Sequence, residues 1–290
     1  MIEYRDLNSY LKERFGCKVY KLALDGGFTC PNRDGTIGER GCIFCLAGSS
    51  DFAVPCRGNV KEAIETAKHL VSNKKGLKFI AYFQSYTGTY DTVENLRELY
   101  SEAAQCSDIA AISIGTRPDC LSPDVISLLK EINAVKPVWI ELGLQTIHEK
   151  TAGYIRRGYS LSVFDDAVKR LKEAGIEIIV HMIIGLPGET DEMIWQTTKY
   201  IGQSGADGVK FQLLHVLRGT DLADDYELGK FDVLSMDEYF RILKGCLERI
   251  PKSMVVHRLT GDGAKRDLIA PLWSADKKKV MNEFKKYLEQ

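Results

Sequence analysis

Strand and helix signals alternate six times along the chain. That rhythm predicts an α/β protein, a parallel sheet curled into a partial (β/α)6 TIM-like barrel. Three observations carry the expectation. Short apolar runs recur between amphipathic segments, most continuously at 176–184. Helix-opening signals follow them, among them Ser122-Pro123 and Ser235-x-x-Glu238. Directly after the strands come loops rich in Gly, Thr, Gln and Arg, where barrels of this class hold their ligands.

Residues 1–16 carry Leu7, Tyr10, Leu11 and Phe15 on one helical face. Residues 19–24 read as the first strand, ended by Asp25-Gly26-Gly27, and a cysteine-bearing loop follows. A helix is expected at 60–72, with Asn59 as N-cap and Gly76 beyond its end. The second strand is 77–83, and its helix is expected to open at Asp91-x-x-Glu94. The third strand, 109–114, leads to the helix at Ser122-Pro123. The fourth, 138–142, leads after a loop to a helix at 163–173, started near Ser162-x-x-Asp165 and stopped at Gly175. The fifth strand, 176–184, is apolar enough for burial on both faces, and a helix at 191–203 follows. The sixth is 208–214. A long connection then reaches the helix at Ser235, a short strand at 254–257 and a polar terminal helix at 275–289. No Pro/Gly/Ser-rich linker intervenes, so 1–290 reads as one domain with its core at about 15–260.

Hydrophobic content of 44% and charged content of 27% suit a globular chain with a real core. A net charge of −1 gives no global pull towards nucleic acid or lipid, so neither a DNA partner nor a membrane is expected. No apolar run approaches the ~18 residues of a membrane span. The polar N-terminus does not read as a signal peptide, which leaves a cytoplasmic expectation. In a reducing compartment, clustered thiols are metal ligands or catalytic groups before they are half-cystines.

Three thiols cluster. Eleven residues separate Cys30 from Cys42, and two separate Cys42 from Cys45. A closed structural metal site takes four ligands. The fourth place therefore belongs to a distant residue or to a ligand that takes part in chemistry. Cys56 is the nearest protein candidate, with packing as its competing role, as for Cys17, Cys106, Cys120 and Cys246. An iron–sulfur cluster on three thiolates leaves one iron open to a substrate.

Cys30 with Cys42-x-Phe44-Cys45, Thr116-Arg117-Pro118-Asp119 after the third strand, and Gly185-Leu186-Pro187-Gly188-Glu189 after the fifth resemble the radical S-adenosylmethionine (SAM) enzymes. More narrowly, the resemblance is to their Elongator-catalytic-subunit-like branch, over roughly residues 15–260. It implies a [4Fe–4S] cluster on Cys30, Cys42 and Cys45, with SAM chelating the fourth iron. It further implies reductive cleavage of SAM to methionine and a 5′-deoxyadenosyl radical, which abstracts a hydrogen atom. Phe44 is then expected against the adenine, and Arg157 at the SAM carboxylate. Ser85 and Thr87 are expected at the methionine amino group, standing where the family has an acid. Glu141 or Gln145 is expected at the ribose, and the strand-5 segment from His181 to Gly185 beside the adenine. His181 stands where the family more often has glycine. Arg117 and Asp119 join the same expected site through the strand-3 motif.

An electron donor of flavodoxin or ferredoxin type is implied, and a tRNA nucleoside is the leading substrate class by family analogy. A small metabolite or a protein side chain is the alternative substrate. A zinc-stabilised, non-redox RNA-binding protein is the rival from another class. The insert between Cys30 and Cys42 is longer than the common family spacing, and no counterpart of the Elongator acetyltransferase domain is expected within these residues. The segment 257–263 is expected to close the barrel near the substrate. Lys277, Lys278, Lys279, Lys285 and Lys286 read as a solvated helix face, with a tRNA contact as the alternative.

Overall fold

The computed structural model describes residues 3–46, 53–71, 78–261 and 265–289. Six strands lie side by side in chain order: β1 (Val19–Asp25), β2 (Lys78–Phe83), β3 (Ile109–Thr116), β4 (Val138–Gln145), β5 (Glu177–Ile184) and β6 (Gly208–Leu213). Past β6 comes β7 (Val255–Arg258), and two-residue pairings at Arg5–Asp6 and Val54–Pro55 finish the two edges. Among the described residues this makes nine strands in one sheet, paired parallel throughout and curled into a half-barrel.

Parallel neighbours need crossovers. Helices supply them: α1 (Leu7–Phe15), α2 (Val60–Leu70), α3 (Val93–Gln105), α4 (Pro123–Val135), α5 (Glu149–Tyr154), α6 (Leu161–Glu173), α7 (Asp191–Gln203), α8 (Asp221–Glu227), α9 (Met236–Leu247) and α10 (Lys277–Glu289).

The two faces of the sheet do different work because side chains alternate along each strand. Leu22, Leu24, Phe83, Ile112, Ile114, Ile140, Leu142 and Val180 point outward and pack under the helices in the main core. The inward positions begin with an apolar layer of Val19, Ile80, Ala111, Trp139 and Ile179 near the strand starts. Leu11 of α1 packs into that layer and plugs this end of the half-barrel. The next inward positions are polar, and they form part of the site.

Several elements depart from the sequence expectation for local reasons. Helix α3 opens at Thr92, whose side chain accepts the Asn95 N–H, while Asp91 is drawn off to Arg57 and to the Asn95 amide. Strand β4 runs three residues past Leu142 to Gln145, paired to β3 and β5. Helix α6 begins at Leu161, whose N–H is taken by Glu149 at 2.8 Å, and Ser160 is spent on Ser162. The long connection after β6 contains Val216–Leu217, antiparallel to β8 (Leu268–Ala270), and then α8. Helix α10 is not polar all round: Val280, Phe284 and Leu288 are buried, with the Phe284 ring 5.2 Å from Phe240 of α9. Ser72, Gly76, Leu77, Asp262 and Gly263 lie outside the described residues. No helix among the described residues is long and apolar enough to cross a membrane.

Candidate functional site

The half-barrel encloses a cavity of about 1010 Å³, running from the cysteine loop at the strand ends to the middle of the sheet. Cys30, Cys42 and Cys45 all line its mouth. The insert between them folds on itself. Arg33 and Asp34 donate their N–H groups to the Cys30 carbonyl at 2.7 and 3.2 Å, Ile37 donates to Pro31 at 2.8 Å, and Gly41 donates to Asn32 at 2.7 Å. Gly41 has φ +73°, and a Cβ there would sit 2.7 Å from Arg33 Nε, so only glycine leaves the guanidinium its place. Arg33 in turn donates to the Cys45 carbonyl and lies 5.7 Å from the Tyr86 ring centre. Asn32 Nδ2 donates to the Arg156 carbonyl at 2.8 Å and reaches the Cys42 sulfur at 3.5 Å.

Helix α8 clasps this loop from outside. Asp221 accepts from Arg40 at 2.6 Å and from Arg156, while the Leu222 N–H donates to the Ile43 carbonyl at 2.9 Å.

Burial pushes the Cys42 thiol up to about 11, with repulsion from Cys45 added and Arg117 opposing. Cys45 is raised by burial as well, and Arg33 opposes it. Among the described residues no three His, Cys, Asp or Glu side chains are grouped to hold a single ion. Three thiols of one loop around one mouth match in number a cluster that leaves one iron open. The neighbouring Arg33 and Arg117 guanidiniums suit the negative charge of such a group. The residues fit a cluster.

Phe44, Ser85, Thr87, Gln145 and His181 line the same cavity. Four non-glycine residues among those described have a positive φ: Ser85 at 88°, Tyr86 at 59°, Gln145 at 67° and Arg156 at 56°. All four stand at this mouth. Backbone held in a sparsely populated region persists only where its surroundings over-determine it. Here the Thr87 N–H donates to the Thr29 carbonyl at 3.2 Å, tying the β2 rim to the cysteine loop.

Arg117, Glu141 and Arg157 line the cavity as well, and each also holds protein partners. Arg157 is buried, and its Nε donates to the Tyr159 carbonyl at 3.0 Å. Its Nη1 donates to the Thr146 carbonyl at 2.6 Å and its Nη2 to Glu149 at 3.2 Å. It fastens the β4 rim where it lines the cavity. Arg117 and Asp119 form a bidentate pair at 2.9 and 2.7 Å, and Arg117 Nη1 donates to the Arg157 carbonyl at 3.0 Å. They brace the same rim. Gly185 has φ +92°, and a Cβ there would meet Leu234 Cδ1 at 3.1 Å, while Ile183 lines the cavity. Glu189 of the same motif accepts the Thr146 hydroxyl.

Glu141 lies two inward positions below Gln145, and both its oxygens are engaged. Oε1 accepts from Lys21 and from Ser113 Oγ at 2.7 Å, and Oε2 accepts from Lys210 and from His181 Nε2 at 2.9 Å. Glu141 lines the cavity with these partners in place. Burial alone would raise the Glu141 carboxyl, but Lys21 and Lys210 reverse this and hold it well below the usual range. Burial, with Lys210 beside it, pushes His181 down to about 4, so its imidazole is neutral near pH 7. Cys56 sits away from the mouth, its sulfur 3.2 Å from the Asp25 carbonyl in the main core, and acts as a packing thiol.

Sequence reasoning missed Asn32, Tyr159, Lys21, Tyr82 and Lys210. Tyr159 packs between Arg117 and Arg157, its ring centre 5.0 and 4.9 Å from the two guanidiniums. The lysines did leave a signal: Lys210 is the lone charge of its strand and Lys21 one of two in its own, both at inward positions among apolar residues.

The family model "Radical SAM superfamily" matches residues 34–201, and "Radical_SAM C-terminal domain" matches 206–290. YtqA of Bacillus subtilis is 44% identical over 292 residues, covering 99% of this chain and 89% of that protein. The chain belongs to the radical SAM superfamily, and it is a radical SAM enzyme. A tRNA uridine(34) acetyltransferase of Methanocaldococcus infernus is 28% identical over 155 residues, 52% of this chain and 28% of that protein. Among solved structures, the archaeal Elp3 of Methanocaldococcus infernus aligns with a TM-score of 0.70 at 20% identity. That alignment covers 93% of this chain and 62% of Elp3, and it shows a shared fold. Family membership implies a [4Fe–4S] cluster and SAM, and it removes the non-redox zinc protein as a reading.

Proposed function

We propose that Cys30, Cys42 and Cys45 hold the [4Fe–4S] cluster and that SAM occupies the mouth of the cavity beside it. The observation that carries this is that all three cysteines of one loop line the same cavity mouth as Phe44, Ser85, Thr87 and Gln145. Bound there, cluster and SAM would supply reductive cleavage to a 5′-deoxyadenosyl radical for hydrogen abstraction. The chain's own residues position and exclude. Phe44 offers an aromatic wall for the adenine, Ser85 and Thr87 offer hydroxyls to the methionine amino group, and Gln145 takes the ribose in place of Glu141. Arg117, Asp119, Arg157 and Glu189 keep the rim in shape. His181 lies below, bonded to Glu141, and its neutral imidazole adds no charge to that layer.

The reading extends to one domain over 1–290, supported by α10 packing Phe284 onto α9. It also extends to a low-potential electron donor of flavodoxin or ferredoxin type, and to a tRNA nucleoside as substrate. The last is supported by similarity to a relative named as a tRNA uridine(34) acetyltransferase. Anaerobic reconstitution is expected to give about four irons per chain, and dithionite to convert SAM to 5′-deoxyadenosine. A colourless protein that leaves SAM intact rejects the cluster assignment. Comparison of tRNA nucleosides from cells with and without the gene tests the substrate, and an unchanged profile rejects tRNA.

A further inference from the structure

The charged layer around Glu141 lies about 13 Å below the mouth, the length of four strand residues from Gln145. Nothing in the handling of SAM at the mouth calls for it. Two lysines, Lys21 and Lys210, face one carboxylate, and the third partner, His181, is neutral. Burial pushes the Lys210 ammonium well below its ordinary range with Glu141 opposing, Lys21 is the partly exposed amine, and Arg258 lines the same cavity, so basic side chains outnumber the one carboxylate here. Tyr82 stands between the ammoniums, its ring centre 4.6 Å from Lys21 Nζ and 4.7 Å from Lys210 Nζ.

Each ammonium carries three donors. Lys21 spends one on Glu141 and makes a long 3.4 Å contact with Ser113; Lys210 spends one on Glu141 and approaches Tyr82 OH at 3.4 Å. Donors remain on both. Access is open, because one cavity is lined by Cys30, Cys42 and Cys45 at its mouth and by Lys21, Glu141 and Lys210 at its floor. Lys21 keeps 20% of its side chain exposed into this space.

We propose that this floor is an anchoring subsite for one anionic group of the substrate, a carboxylate or a phosphate, held by Lys21 with Lys210 behind it. The subsite rests on the radical SAM reading only in placing SAM above it. Lys21→Met separates the two. It leaves Glu141 paired with Lys210, a balanced pair, so the variant folds.

The test is thermal unfolding of the full chain, purified anaerobically, at fixed ionic strength, as inorganic phosphate or acetate replaces chloride. One or both anions are expected to raise the unfolding midpoint of the natural protein saturably. In Lys21→Met the apparent affinity is expected to fall about tenfold or more. SAM is expected to raise the midpoint equally in both proteins. Phosphate acting alone assigns the site to a phosphoryl group, and acetate alone to a carboxylate. The subsite is overturned if neither anion protects the natural protein, or if both proteins are protected equally. It is also overturned if the effect of SAM disappears with Lys21, since the floor would then belong to the carboxylate of SAM itself. Failure to take up iron or SAM would strike the radical SAM reading instead; the anion titration needs neither and still decides the subsite.

Discussion

The two ends of the cavity are built in opposite ways. At the mouth the chain is irregular, and its charged side chains are consumed in holding backbone. Arg33 holds the Cys45 carbonyl, Arg157 the Thr146 carbonyl, and Arg117 the Arg157 carbonyl. What remains for a ligand is thiols, hydroxyls, an amide and an aromatic ring. At the floor the backbone is regular strand, its hydrogen bonds closed within the sheet. Charged side chains there need not support loops, and Lys21, Glu141, His181 and Lys210 meet one another across the barrel. A mouth that must grip a cluster uses charge for architecture; a floor already made by strands can spend charge on recognition.

The largest expected effect breaks the mouth and spares the floor. Cys42→Ala should lower iron from about four per chain to a trace and abolish reductive SAM cleavage, while Cys56→Ala keeps both. Metal analysis and 5′-deoxyadenosine formation check it, and equal damage from Cys56→Ala would show that a fourth protein thiol completes the site. Next is Glu141→Gln, which leaves the buried Lys210 and the partly exposed Lys21 facing no counter-charge. Breaking one side of a buried ion pair costs about 3–5 kcal/mol, so the urea midpoint should fall steeply. A midpoint close to that of the natural protein would mean that water or a relaxed lysine already neutralises the floor.

The floor should also respond to pH where the mouth does not. His181 is held down to about 4 in the folded chain against an ordinary 6.5, so the unfolded chain takes up a proton first as pH falls. This contribution to stability is complete above pH 6.5 and is lost towards pH 4. Glu141, also depressed, acts in the same direction below the ordinary carboxylate range. His181→Gln should therefore show a smaller drop in urea midpoint between about pH 7 and pH 5; an unchanged drop rejects this cause. At the mouth, Gln145→Ala should weaken SAM binding by about three- to tenfold, the loss of one neutral hydrogen bond, measured by equilibrium dialysis. The smallest effect is that of Asp221→Ala. It frees the partly exposed Arg40 and Arg156 at a cost of about 1 kcal/mol or less, yet should hasten iron loss from the loosened loop. Unaltered iron retention would show that α8 holds the loop through the Leu222–Ile43 backbone bond.

By itself the sequence determined the repeating βα order, because inward and outward faces, caps and turns are local properties written every few residues. Ser235 with Glu238, Pro123 after Ser122, and the apolar run of β5 all lie in the elements they predict. The three cysteines and Phe44 were legible for the same reason, being close together on one loop. The chain could not show which polar residues are already spoken for. Arg157 and Glu141 look available as letters, and each is saturated by partners from 2 to 120 residues away. Nor could it place Lys21 of β1 beside Lys210 of β6, since that meeting depends on how far the sheet curls. Curvature is set by the packing of the whole helix layer against the sheet, so only the tertiary structure decided which charges form a floor and which hold the door.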